Sequence, residues 1–159
     1  MKKLALIGDC DTALLKKATL FFTTSRGEDV QIFLSTYGGC IYSAFGILDL
    51  MRAHDKEVDV VCVGPVFSAG MVILAGGTKR RALPLTTFLI HYGTSIIEGL
   101  GEKRQEDKAF KVYKDILDKS STVQRRVVSQ WLNSETYMDV RRALLSGLID
   151  EIIEEPPNE

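Results

Sequence analysis

The stretch Val58-Asp-Val-Val-Cys-Val63 is closed by Gly64-Pro65 and leads into Ser68-Ala69-Gly70. An apolar run of this length before turn residues predicts a buried β-strand, and the small residues after it predict a helix that begins near Ser68. Two further runs, Val30-Gln-Ile-Phe-Leu34 and Thr87-Phe-Leu-Ile90, have the same character. The three runs therefore indicate strands of one buried sheet.

Segments with helical spacing separate these strands. Residues 41–51 carry apolar side chains at three- and four-residue steps, and another helix is predicted from about Asp11 to Thr23. Strands are also expected at Leu4 to Gly8 and Leu148 to Ile153. Strands that alternate with helices predict an α/β fold with a largely parallel sheet and right-handed crossovers.

The composition restricts the possible functions. The chain has 159 residues, of which 45% are hydrophobic and 26% charged, and its formal net charge is −1. This is the composition of one folded domain, and it gives no electrostatic reason to expect nucleic acid or a membrane as a partner. Three cysteines without paired spacing, beside only two histidines, argue against a metal site and indicate a reducing, cytoplasmic setting. No cofactor is expected.

The ends of the predicted strands carry the residues that could perform chemistry. Functional residues gather at the carboxyl ends of parallel strands, and those ends here carry Tyr37-Gly38-Gly39, Ser68 and His91. A serine and a histidine on neighbouring strand ends are the elements of nucleophilic catalysis. Structural explanations stay open, because serine commonly caps helices and Gly-Gly commonly forms a turn. Cys40 is expected to be buried as a small hydrophobic residue.

The residues alone do not single out an acid that would complete a catalytic triad. The candidates after the histidine are Glu98, Glu135, Asp139 and Asp150. Asp139 also has a structural explanation, since it is expected to cap a short helix that ends at Gly147.

The chain after His91 differs in character from the sheet. Residues 93–101 mix glycine with β-branched residues and predict an extended arm. One long helix is predicted from about Glu102 to Trp131, which would be longer than a small domain is wide. Its apolar stripe consists of Phe110, Tyr113, Leu117, Val123, Val127 and Trp131. We expect this stripe to pack against another subunit, and charged substitution at Phe110 or Tyr113 to weaken that assembly.

Four motifs occur in order along the chain: Leu34-Ser35-Thr36-Tyr37-Gly38-Gly39, Val63-Gly64-Pro65-Val66-Phe67-Ser68-Ala69-Gly70, Leu89-Ile90-His91 and Gly147-Leu148-Ile149-Asp150. Together they resemble ClpP, the proteolytic subunit of the Clp protease and a serine peptidase of the ClpP/crotonase fold. The resemblance spans about Leu4 to Ile153 and implies repeated βαβ units with a protruding handle helix. It implies one protease domain over 1–153, with the handle at about 93–131, and a disordered tail over 154–159.

The resemblance implies a role for each site residue. The nucleophile falls on Ser68 and the general base on His91, and alignment of the terminal motif places the acid on Glu135. The oxyanion hole falls on the backbone amides of Gly39 and Ala69. Gly38 corresponds to a position that binds substrate in the family.

The resemblance also implies an activity and partners. The activity is that of a self-compartmentalising serine endopeptidase, which hydrolyses unfolded polypeptides. The implied assembly is a homo-oligomer of two stacked heptameric rings. The implied partner is an AAA+ unfoldase of the Clp type, because this chain has no nucleotide-binding loop.

Departures from the family pattern leave alternatives open. Tyr37 stands where proline is usual, Ala69 where methionine is common, and Glu135 where the family has aspartate. The segments before Leu4 and between His91 and Glu135 are short, which indicates a compact, divergent member. One alternative is a catalytically weak or inactive ClpP-like subunit of a mixed protease complex. A crotonase-type acyl-CoA enzyme is another, disfavoured because the serine and histidine match the peptidase.

Overall fold

The structure is a computed structural model that describes residues 1–92 and 102–156, with side chains from residue 108 onward in the second range. Its strands are β1 (Lys2–Ile7), β2 (Val30–Thr36), β3 (Val58–Phe67), β4 (Lys79–Ala82), β5 (Thr87–Ile90), β6 (Thr136–Asp139) and β7 (Glu151–Ile152). Its helices are α1 (Thr12–Thr24), α2 (Ile41–Arg52), α3 (Gly70–Leu74), α4 (Glu102–Ser120), α5 (Arg125–Asn133) and α6 (Val140–Leu145). The predicted arm at 93–101 lies outside the described residues.

One sheet branches at its central strand. Strands β1, β2, β3, β4 and β7 are parallel neighbours in that order. Within β3, Asp59–Cys62 pairs with β4, whereas Pro65–Phe67 pairs with β5. Strand β6 then pairs with β5 in the antiparallel sense. The predicted α/β class with a largely parallel sheet is confirmed, while the polar strand β4 and the antiparallel strand β6 were not predicted.

The predicted end of β3 at Gly64-Pro65 was wrong, because the strand continues to Phe67. Gly64 adopts φ +69, and the ladder with β2 shifts register between Leu34 and Thr36. A residue pair that usually ends a strand is therefore accommodated as an irregularity within it. Because the strand is longer than predicted, Ser68 follows the part of β3 that lies between β2 and β5.

The two faces of the central strands differ in burial. Alternate residues of β2 and β3 on one face are fully buried and belong to one core with side chains of α1 and α2: Val30, Ile32, Leu34, Val58, Val60 and Cys62. On the opposite face Gln31, Asp59 and Val61 are also buried, whereas Ala5, Phe33 and Val63 are only half-buried and Ile7 is 62% exposed. The described part of the chain therefore leaves this second face incompletely covered.

The predicted long helix is in fact two helices, α4 and α5, separated by residues 121–124. In the break, the amide of Thr122 donates to the carbonyl of Ser146 at 2.9 Å. Tyr113, Leu117 and Trp131, from the predicted stripe, are buried in the core of the same subunit. For these three residues, the expectation that they pack against another subunit was therefore wrong. No helix in the described ranges is long and apolar enough to cross a membrane.

Candidate active site

Ser68 follows β3 in an unusual backbone conformation, with φ +53. Its amide donates to the carbonyl of Leu89 at 2.8 Å, and its carbonyl accepts the amide of Met71 at 2.9 Å. Residue Ala69, not Ser68, occupies the cap position of α3, and it makes no side-chain capping bond. A left-handed residue other than glycine costs about 1–2 kcal/mol. The capping explanation for Ser68 is thus wrong, and the surrounding structure stabilises a strained serine.

The Gly38-Gly39 turn packs directly against this serine. A Cβ atom on Gly38 would lie 2.9 Å from the Cβ of Ser68, and one on Gly39 would lie 2.6 Å from the carbonyl oxygen of Cys10. Both glycines have positive φ values, +102 and +138. Within the described residues, the amide hydrogens of Gly39 and Ala69 are donated to no other group. Glycine is needed here for both conformation and close approach.

His91 and Glu135 are brought together by strand pairing. Ile90 of β5 pairs with Thr136 of β6, so His91 and Glu135 occupy the next opposed positions. The Nδ1 atom of His91 lies 3.4 Å from Oε1 of Glu135. The side chain of His91 is 21% exposed and that of Glu135 is 74% exposed. A contact this long and open to solvent contributes little to stability.

The other acids have different positions or partners. Asp139 caps α6, accepting the amide of Arg142 at 2.8 Å, as predicted. It pairs with Thr87, at the opposite end of β5 from His91. Asp150 forms an ion pair of 2.6 Å with Arg80. Glu98 lies outside the described residues, and among the acids within them only Glu135 is hydrogen-bonded to His91.

Parts of the predicted site are not joined. In the described part of the chain, no hydrogen bond links the Ser68 hydroxyl to His91.

The cysteines do not form part of the candidate site. Cys40 is exposed, so its expected burial was wrong, whereas Cys10 and Cys62 are buried. Burial is the main cause that raises the pKa of the Cys10 thiol to about 12, and the nearby Cys40 and Asp11 add smaller contributions. No group of three or more potential metal ligands occurs in the ranges that the structure describes.

The structure adds an aromatic row that the motifs did not predict. The ring of Phe67 packs edge-to-face against Tyr37, at 5.6 Å between centroids, and against Tyr137, at 5.8 Å. Strand pairing places Phe67 and Tyr137 at the same level of the sheet, since Phe67 is opposite Leu89 and Leu89 is opposite Tyr137. Tyr37 and Tyr137 are 74% and 60% exposed. Tyr37 and Phe67 each directly precede a candidate site residue, and Tyr137 follows one by two positions. This closeness in sequence to the site residues is the signal that could have predicted the aromatic row.

Fold and site define an α/β protein with a serine, a histidine and a carboxylate at the ends of adjacent strands. The family model described as Clp protease matches residues 7–156. The chain therefore belongs to the Clp protease family, and the predicted resemblance is confirmed.

Curated relatives agree with this assignment. One is an ATP-dependent Clp protease proteolytic subunit from Deinococcus radiodurans, 30% identical over 90% of this chain and 74% of the relative. Another, of the same description, comes from Porphyromonas gingivalis and is 30% identical over 90% of this chain and 68% of the relative.

Solved structures share the fold. A ClpP1 mutant from Listeria monocytogenes superposes with a TM-score of 0.86 at 24% identity, covering 97% of this chain and 92% of the other. The ClpP protease catalytic domain from Plasmodium falciparum gives 0.83 at 21% identity, covering 99% of this chain and 88% of the other. The predicted ClpP-like fold is confirmed by both similarities.

Proposed function

We propose that this chain is a serine endopeptidase that hydrolyses peptide bonds of unfolded polypeptides. The observation that carries the proposal is the order of three residues at one edge of the sheet. Ser68 follows β3, His91 follows β5 and Glu135 precedes β6, on strands that are hydrogen-bonded neighbours. The descriptions of the curated relatives support the same activity.

In this proposal Ser68 is the nucleophile and His91 the general base. Because Nδ1 of His91 faces Glu135, its Nε2 remains to take the proton as the serine oxygen attacks the substrate carbonyl. The amides of Gly39 and Ala69 stabilise the negative oxygen of the tetrahedral intermediate. The C–N bond breaks as His91 returns the proton to the leaving amine. Water, deprotonated by the same histidine, then hydrolyses the acyl-serine ester and restores Ser68.

Glu135 orients the imidazole and stabilises its positive charge in the transition state. The 3.4 Å separation from His91 is long for this role. Catalytic hydrogen bonds are often long before substrate binds, and they shorten in the productive complex. We therefore place the functional geometry of this pair in the assembled, substrate-bound protein.

The proposal extends to the substrate and to the partners of this chain. An extended peptide would bind as an added strand beside Gly38 and Gly39. The incompletely covered sheet face with Ile7 and Phe33 supports assembly of identical subunits, for which we propose two stacked heptameric rings. A cytoplasmic AAA+ unfoldase of the Clp type would deliver unfolded chains.

A second candidate function is a catalytically weak or inactive subunit of a mixed protease complex. The exposed Glu135 and its long separation from His91 favour it. The absence of a hydrogen bond between Ser68 and His91 in the described residues also favours it.

Active-site labelling distinguishes the two candidates. A fluorophosphonate probe reacts with an activated serine and hardly with an ordinary hydroxyl. The proposal predicts labelling at Ser68, hydrolysis of short fluorogenic peptides, and loss of both in Ser68→Ala with unchanged assembly. His91→Ala is a second control, because it retains the hydroxyl and removes the base. An unlabelled, assembled and inactive wild-type protein would support the inactive subunit instead.

A further inference from the structure

A buried tyrosine contacts the backbone of the proposed nucleophile. The hydroxyl of Tyr113, on α4, donates a hydrogen bond of 3.1 Å to the carbonyl oxygen of Ser68. The tyrosine is 2% exposed and belongs to the core. Burial raises the pKa of this phenol, so the hydroxyl stays protonated and remains a donor at physiological pH. The buried hydroxyl thus obtains its required partner from the turn that carries the serine.

The carbonyl that Tyr113 contacts belongs to the same peptide group as the amide of Ala69. A trans peptide is planar, and its C=O and N–H point in opposite directions. A bond that holds the carbonyl oxygen of Ser68 therefore also fixes the direction of the Ala69 N–H. It also polarises the peptide, which strengthens the N–H as a donor. That N–H is one of the two proposed oxyanion donors.

The strained backbone of Ser68 makes this support significant. A residue in a sparsely populated conformation persists only where its surroundings hold it. The Leu89 carbonyl holds the amide of Ser68, while Met71 and Tyr113 both donate to its carbonyl. Loss of the tyrosine hydroxyl would leave the Met71 bond in place. The turn should therefore loosen without unfolding.

We propose that Tyr113 is a positioning residue of the oxyanion hole, which aligns the Ala69 amide through the carbonyl of Ser68. This inference rests on the proposed serine peptidase activity and adds to it a residue from outside the four motifs. It also replaces the role at a subunit interface that the apolar stripe predicted for Tyr113.

Tyr113→Phe tests the inference, because it removes one hydroxyl and keeps the buried ring. We expect kcat for a short peptide to fall roughly tenfold to a hundredfold, less than the roughly hundredfold to thousandfold loss for removing a donor itself. KM should remain within about twofold, since the interaction strengthens only in the transition state. The second-order rate constant for fluorophosphonate labelling should fall in parallel, because phosphonylation also places negative charge in the oxyanion hole.

Thr86→Val is the matched control. The Thr86 hydroxyl is buried and donates to a backbone carbonyl, that of Cys62, at 2.9 Å. Its loss should lower thermal stability by a similar amount and leave both rate constants unchanged. Both rate constants are divided by the folded fraction, measured by denaturation under the assay conditions, so that a smaller folded fraction in either variant is taken into account.

Each outcome decides the inference. Wild-type protein that is labelled and active, beside a Tyr113→Phe variant with equal rate constants, overturns the role of Tyr113 and leaves the proposed function intact. A higher KM with unchanged kcat, or an equal loss of rate in Thr86→Val, also overturns it. Wild-type protein that is neither labelled nor active overturns the proposed function, and the inference with it.

Discussion

Nδ1 of His91 lies 3.4 Å from Oε1 of Glu135 because the antiparallel register of β5 and β6 makes these residues face each other. Glu135 reaches this position with φ +47, a left-handed conformation that is unfavourable for a residue with a side chain. It sits just after α5, where glycine or asparagine is usual. A strained glutamate beside the proposed base has no evident role in folding, which favours a role in catalysis.

We predict that Glu135→Ala lowers kcat severely, by up to about four orders of magnitude if the orienting role is complete. The carboxylate would stabilise the imidazolium that forms in the transition state. Glu135→Asp should retain partial activity, because it keeps the charge and shortens the reach by one methylene. Steady-state peptide hydrolysis measures both, and a near-wild-type Glu135→Ala would rule out this acid.

Asp139→Ala should reduce stability and not catalysis. Its carboxylate accepts the Arg142 amide at the start of α6, and loss of such a cap costs about 1 kcal/mol. Chemical denaturation measures the free energy of unfolding, and hydrolysis is compared per labelled active site. A folded but inactive Asp139→Ala protein beside an active Glu135→Ala protein would reverse the assignment.

Glu135→Gly should be more stable than Glu135→Ala by about 1 kcal/mol, because glycine adopts a left-handed backbone without steric cost. Both variants lack the carboxylate, so their activities should be equally low. Denaturation midpoints and hydrolysis rates separate the two effects. Equal stability of the two variants would show that the backbone at 135 is not strained.

Gly39→Ala should abolish hydrolysis and labelling. Its new Cβ would lie 2.6 Å from the carbonyl oxygen of Cys10, so the backbone must shift and displace a proposed oxyanion donor. Gly27→Ala is the control, since Gly27 has φ +77 and open space around the added atom. Backbone strain alone should lower its stability and leave its rate constants unchanged. Undiminished activity in Gly39→Ala would argue against the proposed oxyanion hole.

One cysteine, Cys40, should react with a maleimide in the folded protein at pH 8. Cys40 is exposed, whereas Cys10 and Cys62 are buried. With its pKa raised to about 12, the Cys10 thiol is ionised only to roughly one part in ten thousand at that pH. Mass spectrometry should find one modified thiol in the folded state and three in denaturant. Rapid modification of Cys10 in the folded protein would contradict its burial.

Local patterns in the sequence determined much of the fold and the composition of the candidate site. Apolar runs predicted β2 and β5, helical spacing predicted α2, and Asp139 was correctly predicted to cap α6. These predictions succeed because a single strand, helix or cap depends on the burial and hydrogen bonding of residues close in sequence. The grouping of Ser68 and His91 at strand ends follows from the same local reasoning, since parallel strands end at one edge.

Only the tertiary structure decided how these parts meet. Strand β3 continues past Gly64-Pro65 because Val66 pairs with β2 and Pro65–Phe67 pairs with β5. Residues 121–124 divide the predicted long helix because both halves pack on the core. The pairing of β5 with β6 places Glu135 beside His91 and Asp139 at the far end. The contact from Tyr113 to Ser68 joins residues that are 45 positions apart. Such register and packing depend on long-range contacts, whose free energies no local pattern of residues encodes.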